Sequence, residues 1–284
     1  MPTTNVMGHA FGFDVDVDGD RILVGGPGNG GGAAYVYRRQ AGTWALEREL
    51  TPTPVIPNGR FGEEVDIDGD TIAIGSTFGR ANGVTSGTVT VFRRSPLGTW
   101  TQEATLAPTD GATGDRFASI ALDGNQLAIG AARHDASAVD AGAVYVFRRE
   151  GTTWIQSAKL QAANPAANAR FGRRLALSDP YLVTVGGEMF GRWANFWLRG
   201  PDLDFDSWSP ISVDLDGSSV ARGGFSISGF SGAALLEPLG VDWVERARFS
   251  ANEGTNTTEF GSAIALIPGL LAIGAQRGGN DGRV

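Results

Sequence analysis

Cysteine is absent from all 284 residues. Disulfides, thiolate zinc sites and a cysteine nucleophile are therefore excluded. Histidine occurs only as His9 and His134. Neither has a serine or aspartate partner at a recognisable spacing, and no HExxH metal motif is present. No apolar run approaches the roughly eighteen residues that a membrane-spanning helix requires, so no membrane span is expected. The opening residues, MPTTNVMGHA, carry neither the basic nor the apolar region of a secretory signal. Positive charge is the minority: 23 Lys and Arg against 31 Asp and Glu leave a net charge of −8. Nucleic-acid binders neutralise phosphates with a basic footprint, so no nucleic-acid partner is expected.

What the chain has in quantity is glycine, 42 residues, with 13 prolines and 42% hydrophobic residues. That composition suits many short strands joined by turns. The stretch from Phe117 to Trp154 shows the unit most clearly. ASIAL and QLAIGA flank an Asp123-Gly124-Asn125 turn, GAVYVFRR follows a polar loop, and TWIQSAKL closes the unit. Asp-Gly between alternating apolar runs is a strong hairpin signal, because glycine accepts the positive φ of tight hairpin turns.

The same unit recurs. It opens at Phe11 (FGFDVDVDGDRILVGG), Phe61 (FGEEVDIDGDTIAIGS), Phe117 and Phe171 (FGRRLALSDPYLVTVGG), about fifty to fifty-six residues apart. In the fourth unit ANFWLRG reads as the third strand and Trp208 as the closing tryptophan. Matching Asp216-Gly217 to Asp110-Gly111 opens a fifth unit near Gly224, with one strand or loop shortened before Trp243. A sixth opens at Phe260 (FGSAIALIPGLLAIGA) and stops at Asp281–Val284, where a third strand should begin. The periodicity inside each unit is two, which excludes helical solenoids. The fold expected is all-β: one domain over 1–284, a β-propeller of four-stranded antiparallel blades, with five repeats and a truncated sixth. A ring broken in mid-blade is expected to be incomplete in isolation.

FG at each start, the IG(A/G) end of the second strand and the GAVYVF strand followed by tryptophan resemble FG-GAP repeats. These form the N-terminal β-propeller of integrin α-subunits and occur in many bacterial surface proteins. The resemblance spans Phe11 to Val284 and is most specific in the first three units. It implies a binding or adhesion scaffold, secreted or at the cell surface, often with Ca²⁺ in the blades.

Asp14-Val-Asp16-Val-Asp18-Gly19-Asp20 and Glu64-Val-Asp66-Ile-Asp68-Gly69-Asp70 look like the opening of a calcium loop. In FG-GAP calcium loops the acids form an insertion about eight residues past the Phe, whereas Asp14 is three past Phe11. Valines and isoleucines alternate with the acids, as on a half-buried strand, and Ile22 and Ile72 stand where a closing acid would fall. The structural reading is favoured and no cofactor is expected. A Ca²⁺ ion, if held, would fall to Asp16, Asp18 and Asp20 and their counterparts Asp66, Asp68 and Asp70.

The glycine run Gly25-Gly26-Pro27-Gly28-Asn29-Gly30 precedes a strand, so it is a loop and not a phosphate cradle, which needs a helix N-terminus. The arginine pairs at 38–39, 93–94 and 148–149 share one repeat position and read as a solvated blade edge that discourages edge pairing. Trp44, Trp100, Trp154, Trp208 and Trp243 recur once per unit and read as packing between blades. Asn256-Thr257-Thr258 is a glycosylation sequon only in a eukaryotic secretory setting.

Long connections between second and third strands carry aromatic, Arg and acidic residues suited to binding. On that face the candidates are Phe78, Arg80 and Asn82 in the second unit and Arg133, His134, Asp135 and Asp140 in the third. Phe190, Arg192 and Trp193 are those of the fourth. The leading function is a non-enzymatic module that binds a protein or glycan surface. One alternative is a carbohydrate-active lyase or glycosidase with carboxylates in the central channel, which needs only two acids across a cleft. Another is a structural protein that self-associates through its incomplete last blade.

Overall fold

The computed structural model describes residues 10–135, 137–203, 208–217, 219–226, 231–239, 242–250 and 260–275. His9, the glycosylation sequon and the unfinished strand at 281–284 lie outside them. The chain divides into two compact units, 1–173 and 174–284.

The first unit holds three blades. Blade 1 comprises β1 (Val15–Asp18), β2 (Arg21–Gly26), β3 (Ala33–Gln40) and β4 (Thr43–Leu50). Blade 2 comprises β5 (Phe61–Asp68), β6 (Thr71–Ser76), β7 (Thr88–Arg94) and β8 (Trp100–Leu106), and blade 3 β9 (Phe117–Asp123), β10 (Gln126–Ala131), β11 (Ala143–Glu150) and β12 (Thr153–Leu160). Each is an antiparallel meander in chain order. The Asp-Gly turns close the first hairpins as the sequence predicts, with Gly124 at φ 57° between Asp123 and Gln126. All three blades shift register by one residue between β3 and β4 and at the equivalent places, a bulge that sharpens the twist of the outer strands.

The second unit holds β13 (Leu175–Ser178), β14 (Tyr181–Thr184), β15 (Met189–Trp193) and β16 (Phe196–Arg199) as blade 4. Blade 5 is β17 (Trp208–Asp216), β18 (Ser219–Ser226), β19 (Ser231–Leu239) and β20 (Asp242–Ser250), and a two-stranded sheet is β21 (Phe260–Ile267) with β22 (Leu270–Ala275). Three features differ from the sequence expectation. Blade 4 replaces the long second loop by a tight turn, with the Thr184 N–H donating to the Glu188 carbonyl at 3.0 Å. Its third strand is therefore Met189–Trp193, and ANFWLRG contains the fourth. Trp208 opens blade 5 instead of closing blade 4. Asp216-Gly217 is consequently the first hairpin turn of blade 5, the counterpart of Asp123-Gly124, and the repeat does not open near Gly224. Blade 5 keeps four strands because its β18–β19 connection is cut to residues 227–230.

Neighbouring blades pack face to face, and the repeated residues supply the contact. Trp100 is 4% exposed and sits among Leu23, Ala34 and Val36 of blade 1. Trp154 does the same against Ala73, Val89 and Val91 of blade 2. In the second unit Trp243 meets the Tyr181 ring edge-on, 5.8 Å between centroids. Trp44, on the first blade, is 42% exposed; the side chain of Trp208 lies outside the described set.

The glycine of each IG ending has an equally definite cause. A Cβ on Gly130 would overlap the carbonyl oxygen of Gly172, in the FG that follows blade 3. Gly25 and Gly75 meet Gly62 and Ala118 in the same way. The opening Phe is tied down too, since the Phe117 N–H donates to the Ser86 carbonyl and the Phe171 N–H to the Ala141 carbonyl, both at 2.8 Å. The FG and IG signatures are thus the two halves of one backbone approach, which only small residues permit.

Candidate functional site

The aspartates of the first strands join blade to blade. Asp14, just before β1, and Asp16 and Asp18 on it accept hydrogen bonds from the backbone N–H groups of Val65, Ile67 and Gly69 on blade 2, each at 2.8 Å. One blade on, Asp66 accepts from Leu122 at 2.7 Å and Asp68 from Gly124 at 2.5 Å. In the second unit Asp214 accepts from Leu266 at 2.6 Å and Ser178 from Gly217 at 3.0 Å. Where the preceding blade has no acid at this position, the N–H turns to its own neighbour: Leu215, opposite Ala176, donates to Asp214 at 2.8 Å. Asp20 pairs with Arg21 and Arg38, and Asp70 with Arg94.

These carboxylates therefore do not fit a calcium site. Their oxygens are spread along a strand and directed at N–H donors, and no three His, Cys, Asp or Glu residues among those described are placed to hold a metal. Burial, then the negative charge of Asp16, pushes the Asp66 carboxyl well above the usual carboxylate range. The arginine pairs also do more than face solvent. Arg94 reaches Glu47 of blade 1 at 3.4 Å and Arg149 reaches Glu103 of blade 2 at 2.6 Å, one repeat apart.

The binding candidates fall in three places. Phe78, Arg80 and Asn82 lie in the β6–β7 loop; Phe78 is exposed and Asn82 takes a positive φ of 50°. Arg80 borders a cavity of about 30 Å³ with Thr88, Thr90 and Thr105. Arg133, His134, Asp135 and Asp140 share the β10–β11 loop, where Asp135 accepts the Asp140 N–H at 2.7 Å and Asp140 lies 3.9 Å from Arg133. In the second unit Phe190 is buried on β15, Arg192 pairs with Asp179, and Trp193 stands exposed at the β15–β16 turn. The long loop expected to carry these three does not exist.

His134 is buried, and its neighbours were not foreseen. Its Nδ1 lies 2.7 Å from Asp115 Oδ2, itself buried, and its Nε2 lies 2.9 Å from Lys159 Nζ, the only lysine of the chain. Lys159 continues to Asp110 at 2.5 Å, and the Tyr145 hydroxyl donates to Asp110 at 2.7 Å. Burial opposes ionisation of Asp110, but the hydrogen bonds from Lys159 and Tyr145 hold its carboxyl below the usual range. Burial, then the bond to Asp110, raises the Tyr145 hydroxyl. Tyr145 pairs across the sheet with Lys159 as Thr90 does with Thr105 in blade 2. The network fills the space that in blade 2 is the small cavity. It satisfies its own members and ties the 107–116 link to the β10–β11 loop.

A larger pocket, of about 200 Å³, opens between the starts of blades 2 and 3 and the segment after blade 3. Arg116, Arg133, Arg170 and Arg173 line it, with Glu63 and Glu64. Only Arg133 belongs to the candidates from sequence. The missed signal was legible: an arginine precedes the opening Phe of three units, as Arg60, Arg116 and Arg170. All three are held at positive φ, 61°, 58° and 54°.

No curated protein matches the chain. A model of the FG-GAP repeat matches residues 44–92 and 100–147. Among solved structures, the chain is similar to the computationally designed Ika8 protein, with 14% identity, a TM-score of 0.57, and 95% of this chain and 70% of that one covered. It is also similar to a candidate 6-phosphogluconolactonase from Bacteroides uniformis, at 14% identity and a TM-score of 0.60, covering 91% of this chain and 75% of that one. At that identity the likeness is one of fold. With five four-stranded antiparallel blades in a β-propeller arrangement and the repeat model matched over 44–92 and 100–147, this chain carries FG-GAP repeats on a propeller fold.

Proposed function

We propose that this chain is a non-enzymatic binding propeller, secreted or at the cell surface, whose loops take a protein or glycan ligand. The observation that carries the reading is the charged pocket of about 200 Å³ at the loops of the first unit. The repeated aspartates support it, because Asp16 and Asp66 are engaged by the N–H groups of the next blade. His134 is likewise held between Asp115 and Lys159. The lactonase likeness brings no residue to this chain.

The test is a screen of the purified chain against glycan and protein arrays, repeated with Arg133→Glu and with Arg80→Glu. Capture of a ligand that Arg133→Glu abolishes, with the ligand recovered unchanged by mass spectrometry, is the expected result. Conversion of the captured ligand to product, or a blank array, refutes the reading.

A further inference from the structure

The arginines that precede each opening Phe differ in what neutralises them. In blade 2, Arg60 has Glu63 three residues on, paired at 3.3 Å, and stacks on the Phe13 ring. The counterpart of Glu63 is Ser119 after Arg116, and it is Arg173 after Arg170. The local carboxylate is thus replaced once by a neutral residue and once by a second cation. Among the described residues neither the Arg116 nor the Arg170 side chain forms an ion pair. Arg133 lies 3.9 Å from Asp140, so it is Arg116 and Arg170 that bring positive charge to this opening in a chain of net charge −8, and guanidinium forks match planar carboxylates.

The two glutamates decide which anion fits. Glu63 Oε2 and Arg133 Nε make no hydrogen bond, although Glu63 pairs with Arg60 through its other oxygen and Arg133 Nε lies 3.9 Å from Asp140. One is an acceptor and the other a donor, and both residues line the pocket. A bare phosphate or sulfate would satisfy the donor and be repelled by the acceptor. A ligand that carries a carboxylate and neighbouring hydroxyls satisfies both, because the hydroxyls donate to Glu63. The pocket is smaller than a typical drug-sized site of about 300–1,000 Å³, which suits one sugar ring.

We propose that the pocket bordered by Arg116, Arg133, Arg170 and Arg173 binds the carboxylate of an acidic sugar residue, with Glu63 and Glu64 accepting from its hydroxyls. This rests on the binding reading above and names its ligand class. Calorimetric titration of the whole chain with a galacturonic acid trisaccharide, the neutral galactose trisaccharide and a tetraglutamate peptide tests it. The acidic trisaccharide should bind at least about tenfold more tightly than either other probe. The double variant Arg116→Gln/Arg170→Gln, both exposed positions, should lose at least about tenfold for it with an unchanged melting temperature. Glu63→Gln should weaken the acidic sugar while leaving tetraglutamate unimproved. Equal binding of acidic and neutral sugars, equal binding of the peptide, or no effect of the double variant overturns the proposal. An array ligand that still binds the double variant would sink this inference and leave the binding reading standing; a blank array would sink both.

Discussion

Replacing Asp66 by asparagine should stabilise this protein, and increasingly so as pH rises. The folded carboxyl is raised by burial and by Asp16, whereas in the unfolded chain an aspartate titrates near about 3.9. The folded state therefore holds a proton that the unfolded state releases. Its contribution is fully present below the unfolded value and is lost as pH climbs toward the folded one. Each unit of separation costs about 1.4 kcal/mol once pH exceeds both values. Asparagine keeps an oxygen for the Leu122 N–H, 2.7 Å away, supplies a donor toward Asp16, and cannot ionise. At about 2–4 °C per kcal/mol, Asp66→Asn should match the parent near pH 4 and melt several degrees higher at pH 8. Asp66→Ala should already be destabilised at pH 4 by about 1–3 kcal/mol, because it strands a backbone donor. Calorimetric melts of the three proteins from pH 4 to 8 would decide. A constant offset for Asp66→Asn at every pH would refute the account of a raised carboxyl in the blade interface.

Ile67→Ala should cost about 2–5 kcal/mol in urea denaturation, while Val17→Ala at the same repeat position should stay within about 0.5 kcal/mol, because Ile67 is 4% exposed and Val17 62%. His134→Ala should cost about 1–3 kcal/mol by removing the Nδ1 hydrogen bond from the buried Asp115 and leaving it the Ala112 N–H, with His134→Gln recovering part of that in the same denaturation assay. Millimolar Ca²⁺ should leave the melting temperature unchanged, where saturation of a real site at a hundredfold excess over Kd would add about 2.7 kcal/mol. Gly130→Ala should destabilise by about 1–3 kcal/mol, read as a fall in the urea midpoint, since its methyl would meet the Gly172 carbonyl.

Strands, hairpin turns and blade class were legible in the chain itself. A period-two pattern with Asp-Gly turns has one local outcome, and its recurrence every fifty or so residues has one architectural outcome. The sequence likewise showed that aspartates alternate with valines on the first strands, which places them on one face. Only the tertiary structure decided what that face meets: the next blade's N–H groups, offered at strand spacing, which is why a calcium loop and a stitch share one local pattern. Blade 4 lost its long loop and blade 5 shortened its own. Neither change alters strand alternation, so the boundaries near Trp208 and Gly224 could not be read locally. The pocket is the clearest case. Arg116, Arg133, Arg170 and Arg173 span 58 positions of sequence, and nothing in their spacing joins them. They meet because blade packing fixes where each opening Phe sits, and every residue beside it is carried to the same end of the unit.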